Sequence, residues 1–151
     1  MTSDGVILLV EDNEDDVFLM QRALGAAQVV NPVVVVRDGE EAIRYLSGES
    51  PYQDRAIHPL PVVVFLDLKL PFQSGHEVLA WIRAQRALES LVVVVLTSSD
   101  EPYDLRRAYS VGANSYLMKP MSAAQLSSLA QAFNWSWLRY RESEEVIAAK
   151  K

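Results

Sequence analysis

Five short apolar runs alternate along the chain with stretches in which apolar residues recur every three or four positions. The runs cover 6–10, 33–36, 62–67, 91–97 and 114–118, and most are continuous and rich in β-branched residues. A strand that faces solvent on one side alternates apolar with polar residues. Continuous runs therefore predict strands buried on both faces, as in a parallel sheet covered by helices. Between the runs, Val17, Met20, Leu24 and Ala27 recur at helical spacing, and Glu14-Asp15-Asp16 places negative charge at that helix's N-terminus. Either Asp12 or Asn13 is placed to cap it. A short second helix covers 40–46 after the turn Asp38-Gly39, and Val78, Leu79, Ile82 and Arg86 mark a third after Ser74-Gly75. A fourth starts near Pro102, where proline suits the first helical turn, and ends at Gly112.

The last helical pattern begins near Ser122 and carries Leu126, Leu129, Phe133, Trp137 and Tyr140 on one stripe. Trp135 falls about 200° around the helix from Phe133 at ~100° per residue. An off-stripe tryptophan is either shielded by the tail or part of an interface, and the interface reading is preferred. Trp135, Trp137 and Tyr140 are accordingly the candidate interface residues. The segment 141–151 either extends this helix or frays.

Strand and helix repeated five times with short loops predict one open, doubly wound α/β domain over 1–140. One connection is long, 47–61, with Pro51, Pro59 and Pro61, and it reads as either an ordered surface excursion or a mobile one. At 151 residues the chain can bury roughly 70% of its unfolded surface, so it needs no staples. It has no cysteine, which removes disulfides and thiolate metal sites. A net charge of −6 with scattered Lys and Arg argues against a nucleic-acid surface, and no apolar run reaches a membrane-span length. These features predict a soluble, cytoplasmic domain. His58 and His76 lie near loops and are expected at the surface.

The chemistry gathers where the apolar runs stop. Glu11 and Asp12 follow the first, Asp67 ends the third, Thr97 ends the fourth, and Lys119-Pro120 follow the fifth. In a parallel sheet these ends share one crevice. Glu11, Asp12 and Asp67 offer hard oxygen ligands, which selects Mg2+ or Mn2+ over zinc or copper. Like charges packed together resist ionising at once, and a divalent ion or the Lys119 ammonium relieves that repulsion. Asp67 is the expected nucleophile. A carboxylate can accept a phosphoryl group when cations neutralise the transferred oxygens, and the Thr97 hydroxyl and Lys119 ammonium can hold those oxygens.

Val-Glu-Asp-Asn at 10–13, Leu-Asp-Leu-Lys-Leu-Pro at 66–71, Leu-Thr-Ser-Ser at 96–99 and Tyr-Leu-Met-Lys-Pro at 116–120 together resemble the receiver domain of bacterial response regulators. The resemblance implies a five-stranded sheet of order 2-1-3-4-5. It also implies phosphoryl transfer to Asp67 from a sensor histidine kinase or a small phosphodonor. By the same match Glu11, Asp12, Asp67 and the backbone carbonyl of Lys69 hold the metal, Thr97 and Lys119 bind the phosphoryl group, and Tyr116 is the aromatic switch. Lys119-Pro120 matches a position where receivers commonly hold a cis peptide.

Two departures stand out. Receivers commonly have glycine after the loop proline, where Pro71 here precedes Phe72-Gln73-Ser74. Lys69 and Ser99 occupy positions that tune acyl-phosphate lifetime, so an altered lifetime is expected.

The long 47–61 connection and the aromatic last helix resemble regulators associated with phytochrome-type histidine kinases, which tend to form homodimers through the fourth helix, fifth strand and fifth helix. No output module is recognisable, so the resemblance implies action through a partner or through self-assembly. Such a protein is a signalling phosphoacceptor with slow self-dephosphorylation, not an enzyme. The alternative is a pseudo-receiver, a binding module that is never phosphorylated; a docking domain has no need of the acidic cluster, Thr97 and Lys119. An aspartyl-phosphate phosphatase would want an Asp-x-Asp pair on the first strand, and a flavin protein an uncharged phosphate loop there. Glu11-Asp12-Asn13 is neither.

Overall fold

The computed structural model describes residues 5–98, 102–132, 138 and 140. Five strands, β1 (Ile7–Val10), β2 (Val33–Val36), β3 (Val63–Asp67), β4 (Val92–Thr97) and β5 (Ser115–Met118), alternate with five helices. The helices are α1 (Glu14–Ala26), α2 (Gly39–Ser47), α3 (Gly75–Ala84), α4 (Pro102–Val111) and α5 (Ala123–Ala132). All neighbouring strands are parallel, in the order β2-β1-β3-β4-β5. No helix among the described residues is long and apolar enough to cross a membrane.

The continuous apolar runs are explained by two cores, one on each face of the sheet. Alternate residues of the three central strands go to opposite sides. Leu8, Val10, Val64, Leu66, Val93 and Val95 pack with Val78, Leu79 and Ile82 of α3 and Tyr45 of α2. Ile7, Leu9, Val63, Phe65, Val94 and Leu96 pack with Met20 and Leu24 of α1 and Leu126 of α5. Burial on both faces holds for β1, β3 and nearly all of β4. The outer strands depart from it: β2 is half-buried over three of its four residues, and β5 alternates buried with half-buried, because each has a neighbour on one edge only.

Side-chain caps fix where the helices start. Asn13, rather than Asp12, caps α1 by accepting from the Asp16 amide at 3.1 Å. Asp38 caps α2 through the Glu41 amide at 2.7 Å, and Ser74 with Glu77 forms a capping box on α3. Each cap contributes about 1 kcal/mol and sets the direction in which the preceding loop leaves its strand.

The long connection is an ordered excursion folded onto α2. The Tyr45 hydroxyl donates to the Pro59 carbonyl at 2.8 Å, and the Tyr52 hydroxyl to Glu41 at 3.2 Å. Arg55 donates to the carbonyls of Tyr45, Leu46 and His58 at 2.8, 2.9 and 3.1 Å, so its guanidinium satisfies the C-terminal end of α2.

Four sequence expectations change. Arg86 lies in a separate 3-10 turn, Arg86–Leu88, because α3 stops at Ala84. His76 is buried at 7% exposure under α3's first turn, and His58 is half-buried with its ring edge-on to Tyr45 and Tyr52. Tyr140 does not continue the α5 stripe; it forms an isolated antiparallel bridge with Val29. Leu138 packs on the α1 side of the sheet. Phe133, Trp135, Trp137, Ser99 and the segment 141–151 lie outside the described residues.

Candidate functional site

The sheet order reverses on either side of β1, so a crevice opens at the C-terminal ends of β1 and β3, where helices leave on opposite faces. Glu11 follows β1 directly, with its amide bonded to Val36 of β2 at 3.0 Å, and its side chain is 1% exposed. Asp67 ends β3 opposite Leu96, one residue before Thr97, and is 5% exposed. Asp12 stands at the mouth, exposed. One carboxylate oxygen from each of Glu11, Asp12 and Asp67 lies within 4.8 Å of the others. Three hard oxygen donors at that spacing fit an Mg2+ or Mn2+ ion.

Lys119 closes the crevice from the end of β5. Its amide donates to the Thr97 carbonyl at 2.8 Å, tying β5 to β4, and the Lys119-Pro120 peptide is cis. Its ammonium lies 2.5 Å from Glu11 Oε1, 3.0 Å from Asp16 Oδ2 and 3.3 Å from Asp67 Oδ2. Burial pushes the Glu11 carboxyl up to about 7, with the Lys119 ammonium opposing the rise and Asp67 adding to it. Burial alone would lower the Lys119 pKa, but hydrogen bonds to Glu11 and Asp16 and the charge of Asp67 outweigh it, so the ammonium is held well above its ordinary range.

Thr97 is buried at the end of β4, in register with Met118. Lys69 turns its backbone N–H to Asp67 Oδ1 at 3.1 Å, which fixes one acceptor oxygen and leaves Oδ2 toward Lys119. Tyr116 lies on β5 two residues before Met118, half-buried, with its ring edge-on to Tyr109 of α4 at 6.1 Å. The structure thus brings Glu11, Asp12, Asp67, Thr97 and Lys119 to one sheet edge and sets Tyr116 behind it, against α4.

Two contributors escaped the sequence reading. Asp16, expected only to complement the helix dipole, accepts from the Lys119 ammonium at 3.0 Å. Its signal was present: Asp16, Met20 and Leu24 are spaced four apart, so a charged residue heads a stripe otherwise buried. Gly75, four residues after Pro71, is the second. A Cβ there would lie 2.3 Å from the Asp67 carbonyl oxygen and 2.6 Å from Leu68 Cα, so only glycine lets α3 start against the end of β3.

Residues 7–131 match the response regulator receiver domain. The chain belongs to that family. It is 40% identical over 138 residues to the probable methanogenesis regulatory protein FilR2 of Methanothrix harundinacea, covering 91% of this chain and 86% of that protein. It is 35% identical over 133 residues to response regulator Rcp1 of Synechocystis, covering 88% of each. Among solved structures it resembles the bacteriophytochrome response regulator RtBRR, with TM-score 0.79, 37% identity and coverage of 93% of this chain and 82% of that one. The Mn2+-bound form of Rcp1 superposes with TM-score 0.73 and 34% identity, covering 91% and 97%. The phosphorylated cyanobacterial phytochrome response regulator RcpA does so with TM-score 0.73 and 38% identity, covering 88% and 93%. The protein is therefore a receiver-type regulator of two-component signalling, related to phytochrome response regulators and built on the 2-1-3-4-5 receiver fold.

Proposed function

We infer that the protein is a phosphoacceptor whose Asp67 receives a phosphoryl group from a sensor histidine kinase. The observation that carries this reading is the convergence of Asp67, two further carboxylates and the Lys119 ammonium on one crevice. In the transfer, one Asp67 carboxylate oxygen forms a bond to phosphorus as the phosphorus–nitrogen bond of a phosphohistidine breaks, and the imidazole, already protonated on its other ring nitrogen, leaves neutral. Glu11, Asp12, Asp67 and the Lys69 carbonyl would hold Mg2+, which supplies charge neutralisation for the phosphoryl oxygens. Lys119 and the Thr97 hydroxyl take the remaining oxygens. The similar Mn2+-bound Rcp1 and phosphorylated RcpA support this assignment.

The switch follows from the same geometry. Phosphoryl oxygens draw Thr97 toward Asp67, and Tyr116, packed on Tyr109 of α4, changes position in response. The surface that responds is α4, β5 and α5, which the protein uses for a homodimer. The kinase is of the phytochrome type, a reading supported by the phytochrome-linked neighbours, and both partners act in the cytoplasm.

Intact-protein mass after incubation with acetyl phosphate and Mg2+ tests the core of this reading. One phosphoryl adduct is expected on the parent, and none on Asp67→Asn or in a metal-free control. No adduct on the parent, together with no binding of beryllofluoride, overturns it.

A further inference from the structure

Lys119 has three N–H donors, and three carboxylates already surround them. Glu11 at 2.5 Å and Asp16 at 3.0 Å are closer than Asp67 at 3.3 Å. An anion bound to Asp67 needs at least one of those donors, so one carboxylate must give way. The three are not equivalent. Glu11 is 1% exposed and cannot turn to water. Asp67 carries the anion itself. Asp16 is 29% exposed in the first turn of α1 and can turn to water, with its backbone N–H still held by the Asn13 cap.

We propose that Asp16 is a positioning residue that holds Lys119 while Asp67 is unmodified and competes with phosphoryl oxygens for the same ammonium. It sets how readily the site accepts an anion, without touching the reacting atoms. The proposal rests on the reading of Asp67 as phosphoacceptor.

The probe is beryllofluoride, titrated at saturating Mg2+ so that metal affinity does not enter, into the parent, Asp16→Asn, Asp15→Asn and Asp67→Asn. Asp15 is exposed on the same turn, so Asp15→Asn removes the same charge from the same helix end as a control. Asp16→Asn is expected to bind beryllofluoride about fivefold more tightly than the parent, the size of a part-exposed ion pair, with Asp15→Asn unchanged within about twofold. The Lys119 side-chain ammonium resonance of the parent is expected to move on loading toward its position in loaded Asp16→Asn, which a merely structural role would not produce. Equal or weaker binding by Asp16→Asn relative to Asp15→Asn overturns the proposal alone. Failure of the parent to bind beryllofluoride in a manner abolished by Asp67→Asn overturns the phosphoacceptor reading, and this proposal with it.

Discussion

Lys119 carries the charge balance of the crevice, since three acidic side chains depend on one ammonium that is itself only 13% exposed. Removing it strands Glu11 and Asp67 close together in a dry environment. Lys119→Met is therefore expected to destabilise the metal-free protein by about 2 kcal/mol, measured by urea unfolding in a chelator. Millimolar Mg2+ should recover most of that loss, because it neutralises the same carboxylates. His76 gives a second residue-scale prediction. Burial lowers its pKa from 6.5, with the Arg107 charge adding to the effect and Asp104 opposing it, and its Nδ1 is buried without a hydrogen-bond partner. The unfolded chain thus takes up a proton near pH 6.5 that the folded one refuses. Stability held above that pH is lost as pH falls below it. Urea midpoints of the parent and His76→Leu should run parallel above pH 6.5 and diverge below it, with the parent losing more. A constant offset from pH 5 to pH 8 would show that His76 does not titrate differently on folding. The charge relief by Lys119 is legible in the sequence, whereas the burial of His76 is not, since a lone histidine beside a serine-glycine turn has no periodicity to mark it as buried.

Among elements, the loop 47–61 and the β3–α3 turn show two ways a connection is held. Arg55 binds three carbonyls at once, two of them from the C-terminal end of α2. Arg55→Ala should cost about 1–2 kcal/mol and speed limited proteolysis within 48–61, while leaving beryllofluoride affinity unchanged, because none of those bonds reaches the crevice. Gly75→Ala should behave differently. Its Cβ would strike backbone atoms of Asp67 and Leu68. The expected loss is about 2–3 kcal/mol, accompanied by weaker beryllofluoride binding, since the collision falls on the strand end that carries Asp67. These elements also show what the sequence makes legible. The central strands were readable to within a residue because burial on both faces leaves an unbroken β-branched run, and the gathering of Glu11, Asp67, Thr97 and Lys119 at one sheet edge was readable because each stands where such a run stops. Tyr140 was misplaced because helical spacing persists in the sequence past Ala132, whereas its pairing with Val29 is a contact between segments far apart in the chain. The loop's order was hidden for the same reason: it rests on Arg55, Tyr45 and Tyr52 joining the loop to α2.

Across the whole molecule, the proposed switch requires a charge added at Asp67 to reach the α4–β5–α5 surface without loosening the sheet. Arg83 of α3 offers an answer. It donates to the Gly112 carbonyl at 2.9 Å, the Asn114 side chain at 2.8 Å and the Leu91 carbonyl at 2.8 Å. Asn114 in turn accepts from the Val93 amide at 2.7 Å. The C-terminal end of α4 and the start of β5 are thus pinned to α3 and β4. Gly112 has φ of +127°, and a Cβ there would lie 2.7 Å from Arg83 Cγ, so the glycine admits the arginine as well as the turn. A helix pinned at its C-terminal end can move chiefly at its N-terminal end, where Asp104 lies near His76. Hydrogen exchange should therefore change on beryllofluoride loading at 102–105 and around Tyr116, and stay constant at 111–114. Arg83→Ala should cost about 2 kcal/mol of stability and spread the change along the whole of α4, because the anchor that confines the motion is gone. Uniform change along α4 in the parent would mean that the helix shifts as a rigid body and that Arg83 serves stability alone.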